Sequence, residues 1–224
     1  QGLSQGLVPS ICQDDDGFLW FGTKNGLNRY DGYGFKVFKN DPFDPWSLPE
    51  NEIVFIKAAG DFLLIETPSK TCIFHRKTHR IVAFPRENWQ KHSLSTLLMR
   101  QNRVWMMNSE HSNTQSELLC VQWPPDVFER LDEGRAPEAV FEIKRILLLP
   151  ANSFPVITDD ERQCWFMDDG QLTAFTLASG TKRSIPLPPQ FLEPGKPIAI
   201  MPDVAGATWL HQTGKLARFD GQSW

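Results

Sequence analysis

Tryptophan stands at one fixed place in a unit that recurs along the 224-residue chain: Gly17-Phe-Leu-Trp20, Asn102-Arg-Val-Trp105, Arg162-Gln-Cys-Trp165 and Gly206-Ala-Thr-Trp209. A fifth copy is worn down to Asp61-Phe-Leu-Leu64. From Trp20 through Leu64, Trp105 and Trp165 to Trp209 the steps are 44, 41, 60 and 44 residues. The pattern around the tryptophan recurs with it. Asp14, Asp159 and Asp203 lie six residues before it, and Leu27, Leu172 and Leu216 seven after. Tyr30, Phe74, Phe175 and Phe219 lie ten after, and Gly26, Gly170 and Gly214 shortly precede the leucines.

Each position has a physical reason. The aspartate can close a turn through its own carboxylate, and the glycine supplies a positive φ. Between these turns, Leu19-Trp20-Phe21 and Leu27-Asn28-Arg29-Tyr30 read as the two middle strands of a small antiparallel sheet. Residues 8–13 and 35–38 supply the flanking strands. A four-stranded sheet cannot bury both faces alone, and stacking such sheets side by side solves this. A period of about 40–50 residues with four strands per unit is that of a β-propeller blade. The expected fold is therefore all-β, with five blades near residues 7–38, 53–84, 94–131, 154–187 and 197–224. Trp20, Leu64, Trp105, Trp165 and Trp209 are expected to pack between blades. The third unit carries an insertion around Ser109 to Glu117. The connection from Leu131 to Pro150 has room for a short helix or an extra strand.

Composition narrows the classes of partner. A net charge of −4 leaves no electrostatic footprint for nucleic acid. No apolar run approaches the roughly 20 residues of a membrane-spanning helix, so this segment is expected to stand outside the bilayer. Gln1 already begins inside the repeat pattern, so the chain reads as a mature or trimmed segment. Cys12, Cys72, Cys120 and Cys164 fall in predicted strands without CxxC spacing or clustered histidines, and are expected to be buried free thiols. No metal or cofactor is expected. Asp14-Asp15-Asp16 lacks the spaced ligands of a calcium loop and reads as a solvated turn.

The first unit carries a longer signature. Gly2-Leu3-Ser4 through Val8, then Ser10-Ile11-Cys-Gln13-Asp14-Asp-Asp-Gly17-Phe-Leu19-Trp20-Phe21-Gly22-Thr23-Lys-Asn-Gly26-Leu27-Asn-Arg29-Tyr30-Asp31-Gly32, resembles the two-component regulator propeller repeat. The connection from Asn40 to Asn51 resembles that family's link between blades, and Gly214-Lys-Leu216-Ala-Arg218-Phe219-Asp220-Gly221 repeats the signature. The resemblance implies the periplasmic sensor region of a hybrid histidine kinase: a ligand-sensing segment without chemistry of its own, responding to a glycan. It also implies seven blades, about two more units than are present. Either five blades close by themselves or the chain is a portion of a larger propeller, and a portion would expose a sheet face and favour association with a second copy.

In propellers the connections between blades and the loops between second and third strands share one face. That expectation gathers Trp46 and Trp89 with Asn25, His111 and His211. Aromatic rings stack on sugars, and histidine, asparagine and arginine bond hydroxyl or acidic groups. The candidate oligosaccharide site is Trp46, Arg86, Asn88, Trp89 and His111, against the alternative that both tryptophans merely cover blade ends. His75, His79 and His92 read as solvated turns. Two rival functions are a propeller lyase or glycan-cleaving enzyme using Glu66 or His111, and a protein-interaction scaffold. No carboxylate pair or activated nucleophile recurs at a spacing that supports the enzyme.

Overall fold

The computed structural model describes residues 2–85, 92–110, 115–134, 140–150, 153–191, 198–203 and 207–224. They form five antiparallel sheets, each a simple meander. The first holds Ser10–Gln13 (β1), Leu19–Thr23 (β2), Gly26–Tyr30 (β3) and Phe35–Phe38 (β4). The second holds Phe55–Ala59 (β5), Phe62–Glu66 (β6), Thr71–His75 (β7) and Ile81–Ala83 (β8). In the third are His92–Arg100 (β9), Arg103–Glu110 (β10), Gln115–Gln122 (β11) and Glu142–Pro150 (β12), with Val127–Asp132 (α1) between β11 and β12. Val156–Ile157 (β13), Gln163–Asp168 (β14), Gln171–Thr176 (β15) and Lys182–Ile185 (β16) form the fourth. Ala199–Pro202 (β17), Thr208–Gln212 (β18) and Lys215–Phe219 (β19) form the fifth, three-stranded among the described residues.

The chain divides into two compact units. One comprises residues 1–90, 99–104 and 121–143, the other residues 91–98, 105–120 and 144–224.

The repeat sets the register. Trp20 pairs with Cys12 and Arg29, Leu64 with Lys57 and Ile73, Trp165 with Val156 and Ala174, and Trp209 with Met201 and Arg218. All therefore occupy the same place on the second strand. In the first unit Trp20 is buried among Ile53 of the connection and Ile56 and Phe74 of the next sheet, with its ring 5.4 Å from that of Phe74. Leu64 is fully buried, on the opposite face of β6 from Leu63 and Ile65. In the second unit Trp105 packs with Ile157, Cys164 and Phe166, and Trp165 with Ile200, Leu210 and Phe219. Removing a buried ring of this size from water stabilises by roughly 4–6 kcal/mol. Trp209 is only half-buried.

Glycine is dictated by space at Gly26. Its φ is +113°, and a Cβ there would lie 2.4 Å from the Phe38 carbonyl oxygen.

The third blade differs from its expected limits. It does not close by residue 131: residues 127–132 are the helix α1, and the outermost strand is β12, paired in sheet order with β11. Val127 and Phe128 bury the inner side of α1. The extra length that includes α1 therefore lies between the third and fourth strands, and it accounts for most of the long step from Trp105 to Trp165.

Cys72, Cys120 and Cys164 are buried and Cys12 is half-buried, all as free thiols. Burial pushes the Cys12 thiol up to about 11 and that of Cys164 up to about 12.

Candidate functional site

The loop between second and third strands and the connection between sheets meet on one edge of the first unit. β2 ends at Thr23, three residues past Trp20. Its hydroxyl donates to the Gly26 carbonyl at 2.9 Å and accepts the Asn25 N–H at 3.0 Å, which closes the loop. The connection docks there through Ile53 N–H to Thr23 O at 2.9 Å and Gly26 N–H to Asn51 O at 2.7 Å. Lys24 and Glu52 pair across the junction at 3.4 Å. The segment around Ser4 is held on the same edge by buried Asn28, which accepts the Ser4 N–H at 2.9 Å and donates to its hydroxyl at 2.9 Å. Asn25 donates to the Ser4 carbonyl at 3.1 Å.

The second sheet repeats the arrangement. Thr67 stands three residues past Leu64, and its N–H closes the loop on the Lys70 carbonyl at 2.8 Å. Its hydroxyl donates to Glu50 Oε1 at 2.9 Å, as do the Ser69 N–H, at 3.2 Å, and the Ser69 hydroxyl. Burial opposes charge on Glu50. The Ser69 and Thr67 donors, with Lys70 nearby, outweigh it and hold the carboxyl below its usual range.

In the second unit Asn108, Asp168 and Gln212 fill the corresponding place, three residues past the tryptophans of β10, β14 and β18, and Asp168 and Gln212 end their strands. Asn108 is 4% exposed, its Nδ2 donates to Glu117 at 3.0 Å, and its Oδ1 has no hydrogen-bond partner among the described residues. Every sheet thus carries a hydroxyl, amide or carboxylate three residues after the tryptophan position, legible in the sequence as Thr23, Thr67, Asn108, Asp168 and Gln212. Thr23, Thr67, Asn108 and Gln212 are buried, and the two threonines spend their groups closing the loops.

Of the residues expected at the site, Arg86, Asn88, Trp89 and His111 lie outside the described residues. Trp46 is placed elsewhere than at the strand-end edge. Its carbonyl accepts the Ile81 N–H of β8, the outermost strand of its sheet, at 2.9 Å. The Arg80 guanidinium lies 3.9 Å from its ring centroid, and Phe128 of α1 meets it edge-on at 5.8 Å. Asp132 then binds Arg80 through both guanidinium ends. Trp46 therefore anchors α1 against the second sheet, and one of its ring faces is taken. His211 lies within β18 and is exposed, and Glu66 ends β6.

Two further expectations change. Asp14 does not lie in a solvated turn, although Asp15 and Asp16 are exposed. It accepts the Phe18 N–H at 3.0 Å, the Trp20 indole N–H at 2.8 Å and the Arg76 guanidinium at 2.6 Å. The side chains of Asp14 and Arg76 are 1% and 8% exposed. Asp203 and Trp209 repeat the indole bond at 3.1 Å. Trp105 instead donates to Glu161 at 3.1 Å, and the Trp165 N–H has no hydrogen-bond partner among the described residues. Nor are His75 and His79 free in solvent. His75 sits in β7 against Phe62 and Phe128, and His79 lies against Phe38 and Phe74 with Nδ1 3.2 Å from Lys36 Nζ. His92 begins β9. Among the described residues no cluster of histidine, cysteine and carboxylate is placed to hold a metal, and no helix is long and apolar enough to cross a membrane.

Comparison with known proteins places this architecture. The sequence pattern of the family described as "Two component regulator propeller" matches residues 2–25. A stretch of 47 residues is 51% identical to "Histidine kinase P4" of Formosa agariphila, covering 21% of this chain and 3% of that protein. The extracellular domain of a hybrid two-component system from B. thetaiotaomicron superposes with a TM-score of 0.56 at 19% identity, over 99% of this chain and 30% of that one. The WD40 domain of SCAP from fission yeast gives 0.51 at 10% identity, over 94% and 52%. At these identities the structural likenesses establish the propeller fold and nothing finer.

Proposed function

We propose, on the premise that this chain belongs to the two-component regulator propeller family, that it is the extracytoplasmic ligand-sensing segment of a membrane-bound receptor histidine kinase. It lies in the periplasm, and the ligand is a glycan or oligosaccharide bound without turnover. The observation that carries this reading is the pair of sequence matches: residues 2–25 carry the two-component repeat, and a stretch of 47 residues is 51% identical to a histidine kinase. The proposed contacts are Trp46, Arg86, Asn88, Trp89 and His111, with aromatic rings to stack on sugar faces and polar groups to bond sugar hydroxyls. Kinase activity belongs to parts of the receptor beyond this segment, and signalling proceeds through a second copy of the receptor.

Calorimetry of the purified chain against a panel of neutral and acidic oligosaccharides tests the reading, with chromatography of the recovered sugars. The expected result is saturable binding of one class with the sugars returned intact. Cleavage or elimination products would sink it. Alanine at both Trp46 and Trp89 is expected to abolish binding, and unchanged affinity would move the site elsewhere.

A further inference from the structure

Pairing register sets two cations opposite each other on the Trp20 face of the first sheet. Trp20 pairs with Arg29, and Arg29 with Lys36, so the three stand in one row across β2, β3 and β4. Cross-strand partners share a face, and like charges directly opposite destabilise a sheet. The same row in the fifth sheet shows what is missing here. Arg218 pairs with Trp209 as Arg29 pairs with Trp20, and Arg218 Nε has the Asp203 carboxylate 3.8 Å away. The corresponding carboxylate of the first sheet, Asp14, is taken at 2.6 Å by Arg76, from the turn after β7. Arg29 is left with the Phe18 ring at 4.6 Å and the Trp20 ring at 6.0 Å, and its Nε is buried without a hydrogen-bond partner.

A third nitrogen joins them from the second sheet. His79 lies in the turn between β7 and β8, its ring against Phe38 and Phe74 and its Nδ1 3.2 Å from Lys36 Nζ. An ammonium can only donate, so Nδ1 accepts and the ring is neutral. Lys36 otherwise meets the Phe38 ring, 5.1 Å away. Nearby cations of the same unit are paired: Arg76 with Asp14, Lys77 with Asp61 and Arg80 with Asp132. Among the described residues no carboxylate lies within 4.0 Å of the Arg29 or Lys36 nitrogens. Asp31, two residues past Arg29, turns its Oδ1 to the Tyr33 and Gly34 N–H groups at 2.9 and 2.8 Å. Phe18, Trp20, Phe38 and Phe74 supply apolar surroundings, in which charge interactions are stronger than in water.

We propose that Arg29, Lys36 and His79 form a binding site for an oxyanion, a sulfate-like group either free or carried on a sugar. Arg29 and Lys36 donate to its oxygens, and His79 changes from acceptor to donor by taking up a proton at Nδ1. The anion supplies to this row the negative charge that Asp203 supplies in the fifth sheet. Such charge-assisted bonds are roughly twice as strong as neutral ones. In the free protein burial, then Lys36, Arg29 and His75, hold the His79 pKa below its usual value. A bound anion opposes them, so binding takes up a proton and affinity rises as pH falls from neutral, until free His79 itself titrates. The inference rests on this geometry within the first unit and is independent of the sensing reading.

Magnetic resonance of the His79 imidazole in the full chain tests it, with sodium sulfate titrated against sodium chloride at matched ionic strength. Sulfate is expected to give saturable shifts at His79, to raise its pKa, and to bind more tightly as pH is lowered from neutral. Lys36→Gln and Arg29→Gln should each weaken sulfate binding at least about tenfold. Lys36 is exposed, so the melting temperature of Lys36→Gln without sulfate should hold. Glucose 6-sulfate then assigns the source of the anion. Tighter binding than inorganic sulfate marks a sugar-borne group, and equal or weaker binding marks a free one; both uphold the oxyanion site. Shifts that chloride reproduces, that fail to saturate, or that survive both substitutions would overturn it.

Discussion

Asp14→Ala is expected to destabilise the first unit out of proportion to its place in a surface turn. Asp14 joins three things at once: its own turn, through Phe18 N–H, the indole of Trp20, and Arg76 from the next sheet. Truncation strands a buried indole N–H, worth about 1–3 kcal/mol. It also removes one carboxylate from a buried guanidinium, and breaking a buried pair typically costs about 3–5 kcal/mol. Asp16 still touches Arg76 at 2.8 Å, and Arg76 Nε keeps its bond to the Gly60 carbonyl at 2.8 Å. The two penalties therefore overlap instead of adding, and the expected loss is about 3–5 kcal/mol, a large part of a typical domain's stability. Urea unfolding followed by circular dichroism gives the number, and amide exchange in β2 and β6 assigns it to this unit. The paired variant Asp14→Leu with Arg76→Met leaves no charge stranded, so it should lose at least about 1 kcal/mol less than the single losses combined. A loss below about 1 kcal/mol for Asp14→Ala, or additivity of the two sites within about 0.5 kcal/mol, would refute the reasoning.

Other expectations are simpler. His79 is held neutral, first by burial and then by Lys36 and Arg29, which lowers its pKa below 6.5; His75 is lowered too, chiefly by burial. The unfolded chain thus takes up protons first, so stability is full above about pH 6.5 and falls as pH drops below it, until the folded groups titrate. His79→Gln should flatten that fall in melting temperature between neutral and mildly acidic pH, and an unchanged slope would contradict it. Gly26→Ala forces a Cβ against the Phe38 carbonyl, whereas Gly170→Ala meets nothing within 4 Å. The first should therefore cost clearly more in urea unfolding than the roughly 1 kcal/mol of a left-handed alanine. Thiol labelling of the native protein should leave Cys72, Cys120 and Cys164 unreacted until the chain unfolds, and rapid native reaction at Cys164 would contradict its burial.

The parts of the fold carried by local pattern were legible in the sequence. Tryptophan position, turn glycine and strand alternation lie within a few residues of each other, and they fixed the sheets and their register. What escaped reading depends on partners far along the chain. Asp14 looks like a solvated turn residue until Arg76 arrives from the next sheet, and nothing near Trp46 in the sequence shows that Arg80 and Phe128 take part of its ring surface. β12 was hard to place because Glu142-Ile-Lys-Arg-Ile-Leu-Leu-Leu-Pro150 has no clean alternation and follows a helix that interrupts the blade. The polar residue three after the tryptophan position recurs in the sequence and was available to reading there. The proposed contacts Arg86, Asn88, Trp89 and His111 fall outside the recurring pattern, where no repeat constrains the choice of residue.

Hydrogen exchange of the chain, free and saturated with the tightest-binding oligosaccharide of the panel, tests the sensing account most directly. The account predicts slowed exchange in the loops after Thr23 and Thr67 and in the connection from Asn40 to Asn51, with the sugar recovered intact. Protection confined to other edges of the sheets, or a sugar returned cleaved, would contradict it.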